Sequence, residues 1–155
     1  GSMGSDAVIK DANGKTESHG LSILDLVKHS IKTIIHCLDD DDYLSIVSYA
    51  SKAQRVTELM KMDKKGKEST LAALNNLQAS GQTNLWDGLF NGLEILRENK
   101  SINCSMNNSG VLLFTDGLPN IIPPKGHQAM LDKYIDTNQE LPAIINTYGF
   151  GYSLD

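Results

Sequence analysis

Apolar residues recur at every third or fourth position in several stretches of the chain, and this spacing predicts amphipathic helices. The first helix is expected directly after Ser22, which is placed as its N-cap. Its apolar face consists of Ile23, Leu24, Val27, Ile31, Ile34, Ile35 and Leu38. Further helices are predicted between Asp63 and Ala79, from Asn84 to Glu98, and from about His127 to Asn138.

The segments between these helices predict strands. YLSIVSYA, from Tyr43 to Ala50, is rich in β-branched and aromatic residues and predicts a hairpin with a second strand near Gln54 to Leu59. GVLLFTDG, from Gly110 to Gly117, holds the nearly unbroken apolar run of a central strand covered on both faces. PAIINTYGFGY supplies the last strand. The alternation predicts an α/β fold: a doubly wound, mostly parallel, Rossmann-like sheet with helices on both faces and one antiparallel edge hairpin.

The pattern also predicts which side chains form the core. We expect these to be mostly buried: Leu24, Val27, Ile31, Ile34, Ile46, Val47, Leu89, Leu93, Leu112, Leu113, Phe114 and Ile145. Cys37 falls within the first helix and is predicted to lie in the core, whereas Cys104 falls in a polar loop. We therefore expect two free thiols rather than a disulfide.

Composition narrows the class of protein. A length of 155 residues with 40% hydrophobic residues suits a single domain with its own core. The net charge of −5, without a basic run that alternates with aromatics, argues against a nucleic-acid partner. No apolar run approaches the roughly 18 to 20 residues of a membrane span.

Two loops are candidate sites, one that leads into a helix and one that leaves the central strand, because ligands of open α/β sheets bind outside the carboxyl ends of the strands. SGQTNLWDG contains Thr83, and FTDGLPN contains Asp116 as the first polar residue after an apolar strand and a threonine. Each has an ordinary explanation on its own: Thr83 as a helix N-cap and Asp116-Gly117 as a turn. Their occurrence together favours a shared site.

These residues resemble the von Willebrand factor type A domain family. Its metal-ion-dependent adhesion site is built from Asp-x-Ser-x-Ser after the first strand, a threonine in a second loop, and the aspartate of Thr-Asp-Gly. The resemblance, which extends from Leu21 onward, implies that Thr83 and Asp116 are metal ligands in the second and third loops. It also implies a Mg²⁺ or Mn²⁺ ion that captures a carboxylate of a partner protein. The likeness is closest to intracellular branches of the family, which implies a cytoplasmic protein rather than a secreted one.

The first loop of that family commonly continues Ser-Gly-Ser-Met-Gly, and the chain opens Gly1-Ser2-Met3-Gly4. On this interpretation Ser2 is the third metal ligand, and Asp6 to Gly20 is a long polar insertion. Residues 1–155 are then a single domain that lacks its first strand and its last helix. A chain with so few ligands is expected to bind Mg²⁺ weakly or not at all.

Two alternatives remain for the opening. The first five residues also have the composition of an expression-tag scar, which would remove Ser2 from the site. Alternatively, Ala7 to Ile9 is a short first strand followed by a degenerate loop, but Lys15 would then place a cation where a hydroxyl should meet the metal.

The leading hypothesis is therefore a non-enzymatic, metal-dependent protein-binding module for adhesion or scaffolding. A scaffold domain of the same fold without a metal is the first alternative. A Mg²⁺-dependent phosphoryl-transfer hydrolase with Asp116 as nucleophile is the second, because such nucleophiles also follow a central parallel strand. No lysine-containing loop or second acidic pair completes that chemistry in the sequence.

Overall fold

A computed structural model describes residues 2–10, 16–103, 108–117 and 119–150. A short 3₁₀ turn at Ser2–Gly4 precedes the regular elements. The strands are β1 (Asp6–Lys10), β2 (Thr16–Ser22), β3 (Tyr43–Leu44), β4 (Val47–Tyr49), β5 (Ala53–Arg55), β6 (Met60–Lys61), β7 (Gly110–Thr115) and β8 (Ile144–Gly149). The helices are α1 (Ile23–Cys37), α2 (Lys64–Asn75), α3 (Leu85–Glu98), α4 (Lys100–Asn103) and α5 (Gly126–Asn138). No helix in the described ranges is long and apolar enough to cross a membrane.

Helix α1 begins at the predicted cap. The Ser22 hydroxyl accepts a hydrogen bond from the Asp25 amide, and the Asp25 carboxylate accepts one from the Ser22 amide, which forms a capping box. Val27 and Ile35 are buried on the inner face of this helix. Cys37 is exposed, so its predicted core position was wrong: the last turn of α1 directs it to solvent. Cys104 lies outside the described residues.

The described strands form four pairs, of which β7–β8 is parallel and β1–β2, β3–β6 and β4–β5 are antiparallel. The predicted hairpin is present as β4–β5, although β5 ends at Arg55 rather than continuing to Leu59. The neighbouring pair β3–β6 closes the same segment further from the turn.

Two polar stretches contain more regular structure than the sequence predicted. The supposed insertion contains the antiparallel pair β1–β2, since its two arms satisfy each other's backbone groups. The strand that includes Ala7 and Val8 pairs with β2 rather than with β7, so it is not a central strand of the parallel pair. The stretch before β7, predicted as a loop, begins with the short helix α4.

Two clusters form the core. Ile35, Ile46 and Leu74 bring α1, the hairpin region and α2 together, whereas Leu89, Leu93 and Tyr134 join α3 to α5. Of the predicted core residues, Val27, Ile46, Leu89, Leu93 and Leu113 are buried. Leu24, Ile31, Ile34, Val47, Phe114 and Ile145 are only half-buried.

Leu112 is 39% exposed, so its predicted burial was wrong. Together with the half-buried Leu24, Ile31, Ile34, Val47 and Phe114, it lines a cavity of about 700 Å³. These side chains are apolar, as predicted, but no residue that the structure describes fills the cavity beside them. The sequence therefore identified the apolar surface without revealing that part of it remains uncovered.

Helix α3 approaches β4 closely at Gly88. A β-carbon built there would lie 2.7 Å from two atoms of the Tyr49 ring and 3.0 Å from its Cβ, so any larger residue must displace the tyrosine. At Gly92, one turn later, the nearest atom to a built β-carbon is Val111 Cγ1 at 3.5 Å, which is an ordinary contact. A side chain larger than hydrogen is therefore accommodated at Gly92 but not at Gly88.

This difference makes a testable prediction. We expect Gly88→Ala to lower the free energy of unfolding by roughly 1–3 kcal/mol, because overpacking outweighs the helix propensity that alanine adds. Gly92→Ala should leave stability unchanged or raise it by up to about 1 kcal/mol. Urea denaturation of both variants measures the effect. Equal tolerance at the two positions would contradict the described packing of Tyr49 against α3.

Candidate functional site

The three residues predicted as metal ligands are contributed by three separate parts of the chain. Asp116 directly follows β7, Thr83 lies two residues before the start of α3, and Ser2 belongs to the N-terminal 3₁₀ turn. All three line the same cavity. Thr83 and Asp116 therefore lie beside the same cavity rather than on opposite edges of the fold.

Hydrogen bonds connect the Thr83 loop to the segment after β7. The Thr83 amide donates to Asn120 Oδ1 at 2.7 Å, and the Ile121 amide donates to the Thr83 carbonyl at 3.2 Å. On the other side, the Asn84 amide donates to the Ala50 carbonyl at 2.8 Å, just beyond β4. Thr83 is thus fixed by its backbone, and these contacts do not use its hydroxyl.

Thr83 is not the N-cap of α3, because Asn84 has that position. The Asn84 side chain accepts a hydrogen bond from the Asp87 amide at 3.2 Å, as an N-cap residue does. The helix-capping role that the sequence suggested for Thr83 is therefore performed by Asn84.

Asp116 is the buried charged residue of the site. Its side chain is 7% exposed, and Oδ2 is buried without a hydrogen-bond partner among the described residues. Removing a carboxylate oxygen from water without a compensating partner is costly. The Thr115 hydroxyl donates to the Gly117 carbonyl at 3.0 Å and stabilises the turn that carries Asp116. Within the part of the chain that the structure describes, the carboxyl end of β7 thus carries a buried oxygen without a hydrogen-bond partner.

Tyr49 lies close enough to respond to this charge. Its hydroxyl donates to the Phe114 carbonyl at 2.6 Å. Burial raises the pKa of the Tyr49 phenol, and the negative charge of Asp116 raises it further. Sequence reasoning did not identify Tyr49, since only the folded chain brings β4 near β7.

The donor set consists of hydroxyl and carboxylate oxygens rather than nitrogen or sulfur. Across the described ranges, no three His, Cys, Asp or Glu side chains group together as a metal site would require. The predicted site contains one carboxylate and two hydroxyls, so it is not a cluster of that composition. Oxygen donors of this type suit a hard cation such as Mg²⁺. Asn120, whose side chain positions Thr83, lies within the quoted FTDGLPN loop but was not assigned a role from sequence.

The helices and the parallel strand pair together define a Rossmann-like α/β domain. The chain belongs to the von Willebrand factor type A domain family, whose family model matches residues 1–119. Domains of this family are generally protein-interaction and adhesion modules.

Individual relatives agree with this assignment. The chain is 31% identical over 113 residues to the voltage-dependent calcium channel subunit alpha-2/delta-2 of Homo sapiens, Mus musculus and Rattus norvegicus. The match covers 71% of this chain but only 9–10% of those proteins. The fold is similar to that of a von Willebrand factor type A protein from Catenulispora acidiphila, with a TM-score of 0.73 and 19% identity over 86% of this chain and 30% of the other.

The proximity of Asp116 to Tyr49 gives a prediction for the site. Asp116→Asn removes a negative charge that disfavours the tyrosinate, so we expect the pKa of Tyr49 to fall. The ultraviolet absorbance of tyrosinate measures this when the titration of the Tyr49→Phe chain is subtracted. Asp132→Asn, an exposed change on α5, is the matched control and should leave the Tyr49 titration unaltered. An unchanged or increased Tyr49 pKa in Asp116→Asn would contradict the proximity of the two groups.

Proposed function

We propose that Ser2, Thr83 and Asp116 are three of the ligands of a divalent cation, Mg²⁺ or Mn²⁺, through which this domain binds an acidic side chain of a partner protein. The observation that carries the proposal is the buried, unpartnered Oδ2 of Asp116 at the end of β7. Family membership supports it, because the matched region runs from residue 1 and includes all three residues.

A bound cation would give Asp116 Oδ2 the favourable partner that it lacks among the described residues. Mg²⁺ takes about six oxygen ligands and usually retains several waters, so protein groups supply only part of its coordination shell. Asp116 would supply the charged ligand, while the hydroxyls of Ser2 and Thr83 would contribute neutral oxygens, directly or through water. The same ion would offset the cost of burying the carboxylate.

The small number of negative ligands favours an acidic partner. Asp116 is the one carboxylate among the described residues that line the cavity, and Lys52 is the one cation. A divalent ion held by a single carboxylate keeps a net positive charge, and that charge attracts an anionic group. A carboxylate of a partner protein would therefore complete the coordination of the ion.

The same inventory argues against the hydrolase. Phosphoryl transfer depends on several cationic groups or metal ions placed around the transferred phosphate. The one lysine of the lining, Lys52, is exposed at the β4–β5 turn. We therefore propose a binding module rather than an enzyme. Turnover of generic phosphate esters with Mg²⁺ that disappears in Asp116→Asn would reverse this choice.

Metal titration tests the proposal. Calorimetry with Mn²⁺ and Mg²⁺ should show weak or undetectable binding to the 155-residue chain, because its site supplies one carboxylate and two hydroxyls at most. A chain extended at its amino end by Asp-x-Ser should bind measurably, and Asp116→Asn or Thr83→Val should abolish that binding. Asp132→Asn and Thr137→Val, on the exposed surface of α5, are matched controls and should retain it.

The partner's chemistry is tested with the metal-loaded extended chain. A short peptide that contains aspartate should bind, whereas the same peptide with asparagine should not. Tight metal binding by the unextended chain, no binding by the extended one, or equal binding of both peptides would contradict the proposal.

A further inference from the structure

A second depression, which we call the α3–α5 groove, lies between helices α3 and α5 and has a volume of about 310 Å³. Helix α3 contributes Trp86, Phe90, Glu94 and Arg97, and α5 contributes side chains between positions 130 and 138. From Trp86 to Arg97 the groove follows about three turns of α3, or roughly 16 Å at the usual rise per residue. It is therefore an elongated trough, and none of the three proposed metal ligands belongs to its lining.

Aromatic rings form the apolar part of the groove. The centroid of the Phe90 ring lies 6.2 Å from that of Trp86 and 6.0 Å from that of Tyr134, and the second pair is arranged edge to face. Tyr134 is buried with Leu89 and Leu93 in the core cluster, and Trp86 packs against that cluster. Phe90, in contrast, is 39% exposed. The apolar surface of the core thus continues through Phe90 into the open groove.

The two helices that form the groove are fixed to each other. The Tyr134 hydroxyl of α5 donates to Glu94 Oε1 of α3 at 2.9 Å, and the ring contact of Phe90 with Tyr134 spans the same two helices. A site whose walls are in place before binding loses less conformational entropy when a ligand enters. The groove is therefore preformed.

The charged groups of the groove favour an anionic ligand over a cationic one. Both oxygens of the Glu94 carboxylate are occupied: Oε1 accepts from Tyr134 and from Arg97 Nε at 2.8 Å, and Oε2 accepts from Arg97 Nη2. This pair does not use Arg97 Nη1, and Lys133 on the α5 side is exposed. The described lining thus holds two cations against one carboxylate that is already paired, although the whole chain has a net charge of −5.

Shape and charge together indicate what occupies the groove. A trough with an apolar floor accepts the apolar face of an amphipathic helix, which presents anchors at i, i+3, i+4 and i+7. The cations at its rim select a helix that carries acidic side chains beside that face. A lipid surface is the poorer match, because the net charge of −5 opposes approach to an anionic membrane.

We propose that the α3–α5 groove is a docking site for an amphipathic helix of a partner protein, whose apolar side chains pack on Trp86 and Phe90 and whose acidic side chains pair with Arg97 and Lys133. Exposed aromatic and arginine side chains are the residue types that contribute most binding energy at protein interfaces. This contact is separate from the proposed cation site and requires no metal.

The single tryptophan of the chain, Trp86, lies in the groove, so its fluorescence reports occupancy. A phage-displayed library of random peptides of about 12 residues, which span roughly 18 Å as a helix, is selected on the 155-residue chain. Peptides that also bind Phe90→Ser are discarded. The remaining sequences should share Leu, Ile or Phe at i, i+3 or i+4 together with Asp or Glu. The most enriched sequence, as a synthetic peptide, should shift Trp86 emission to shorter wavelength by excluding water from the indole.

Matched substitutions separate the groove from other surfaces. Phe90→Ser should weaken binding of the synthetic peptide about tenfold or more, because it removes an aromatic anchor. Ile122→Ser, at an apolar side chain 61% exposed and outside the groove, should leave the affinity unchanged. Lys133→Glu should weaken binding roughly threefold or more and reduce its dependence on salt. Lys65→Glu, on the exposed surface of α2, should do neither.

Three outcomes would overturn the proposal. The first is that no peptide survives the selection, and the second is that the survivors carry Lys and Arg in place of Asp and Glu. The third is that phosphatidylserine vesicles shift Trp86 emission and the peptide does not, which would make a membrane the occupant. A chelator should change none of these readouts, so the groove and the proposed cation site fail or succeed separately.

Discussion

The contact of Tyr49 with two distant parts of the chain is the interaction on which the arrangement of the site depends. Its ring packs against Gly88 of α3, and its hydroxyl bonds to the Phe114 carbonyl of β7. It thereby connects the β4–β5 pair to the β7–β8 pair across the cavity. Asp116 follows Phe114 by two residues, and the Ala50 carbonyl next to Tyr49 accepts the hydrogen bond of the Asn84 amide. The positions of Thr83 and Asp116 are thus related through this bridge.

Hydrogen bonds fix the backbone of the loops that form the site. The side chains of Thr83 and Asp116 are not needed for those bonds. Asn84 caps α3, Asn120 binds the Thr83 amide, and Thr115 closes the turn after β7. The Thr83 hydroxyl and the Asp116 carboxylate take no part in those contacts. Burying a carboxylate oxygen without a hydrogen-bond partner among the described residues has an energetic cost, and a bound cation would offset that cost.

The sequence predicted those parts of the fold that depend on local periodicity. Helix α1 with its Ser22 cap, helix α3, the buried end of β7 and the loops of Thr83 and Asp116 were predicted because each signal lies within a few residues. The resemblance to the family was confirmed for the same reason, since its second and third loops are short and distinctive.

The missed features depend on contacts between distant residues. No local pattern indicates that Leu112 lines a cavity, that Cys37 lies on the outer side of α1, or that Tyr49 reaches β7. The pairing of β1 with β2 was missed because its arms are polar and carry no alternating apolar signal. The proposal that Ser2 is a ligand rests on its place in the cavity lining.

The central claim is that a cation binds where the Ser2 turn, the Thr83 loop and the end of β7 meet. Paramagnetic relaxation of backbone amide signals by Mn²⁺ tests it most directly, using the chain that carries Asp-x-Ser ahead of its first residue. The account predicts strong broadening of Ser2, Thr83 and Gly117, and little effect at the opposite end of β7 near Gly110. Broadening centred on the acidic run of residues 39–42, or spread evenly over the surface, would contradict it.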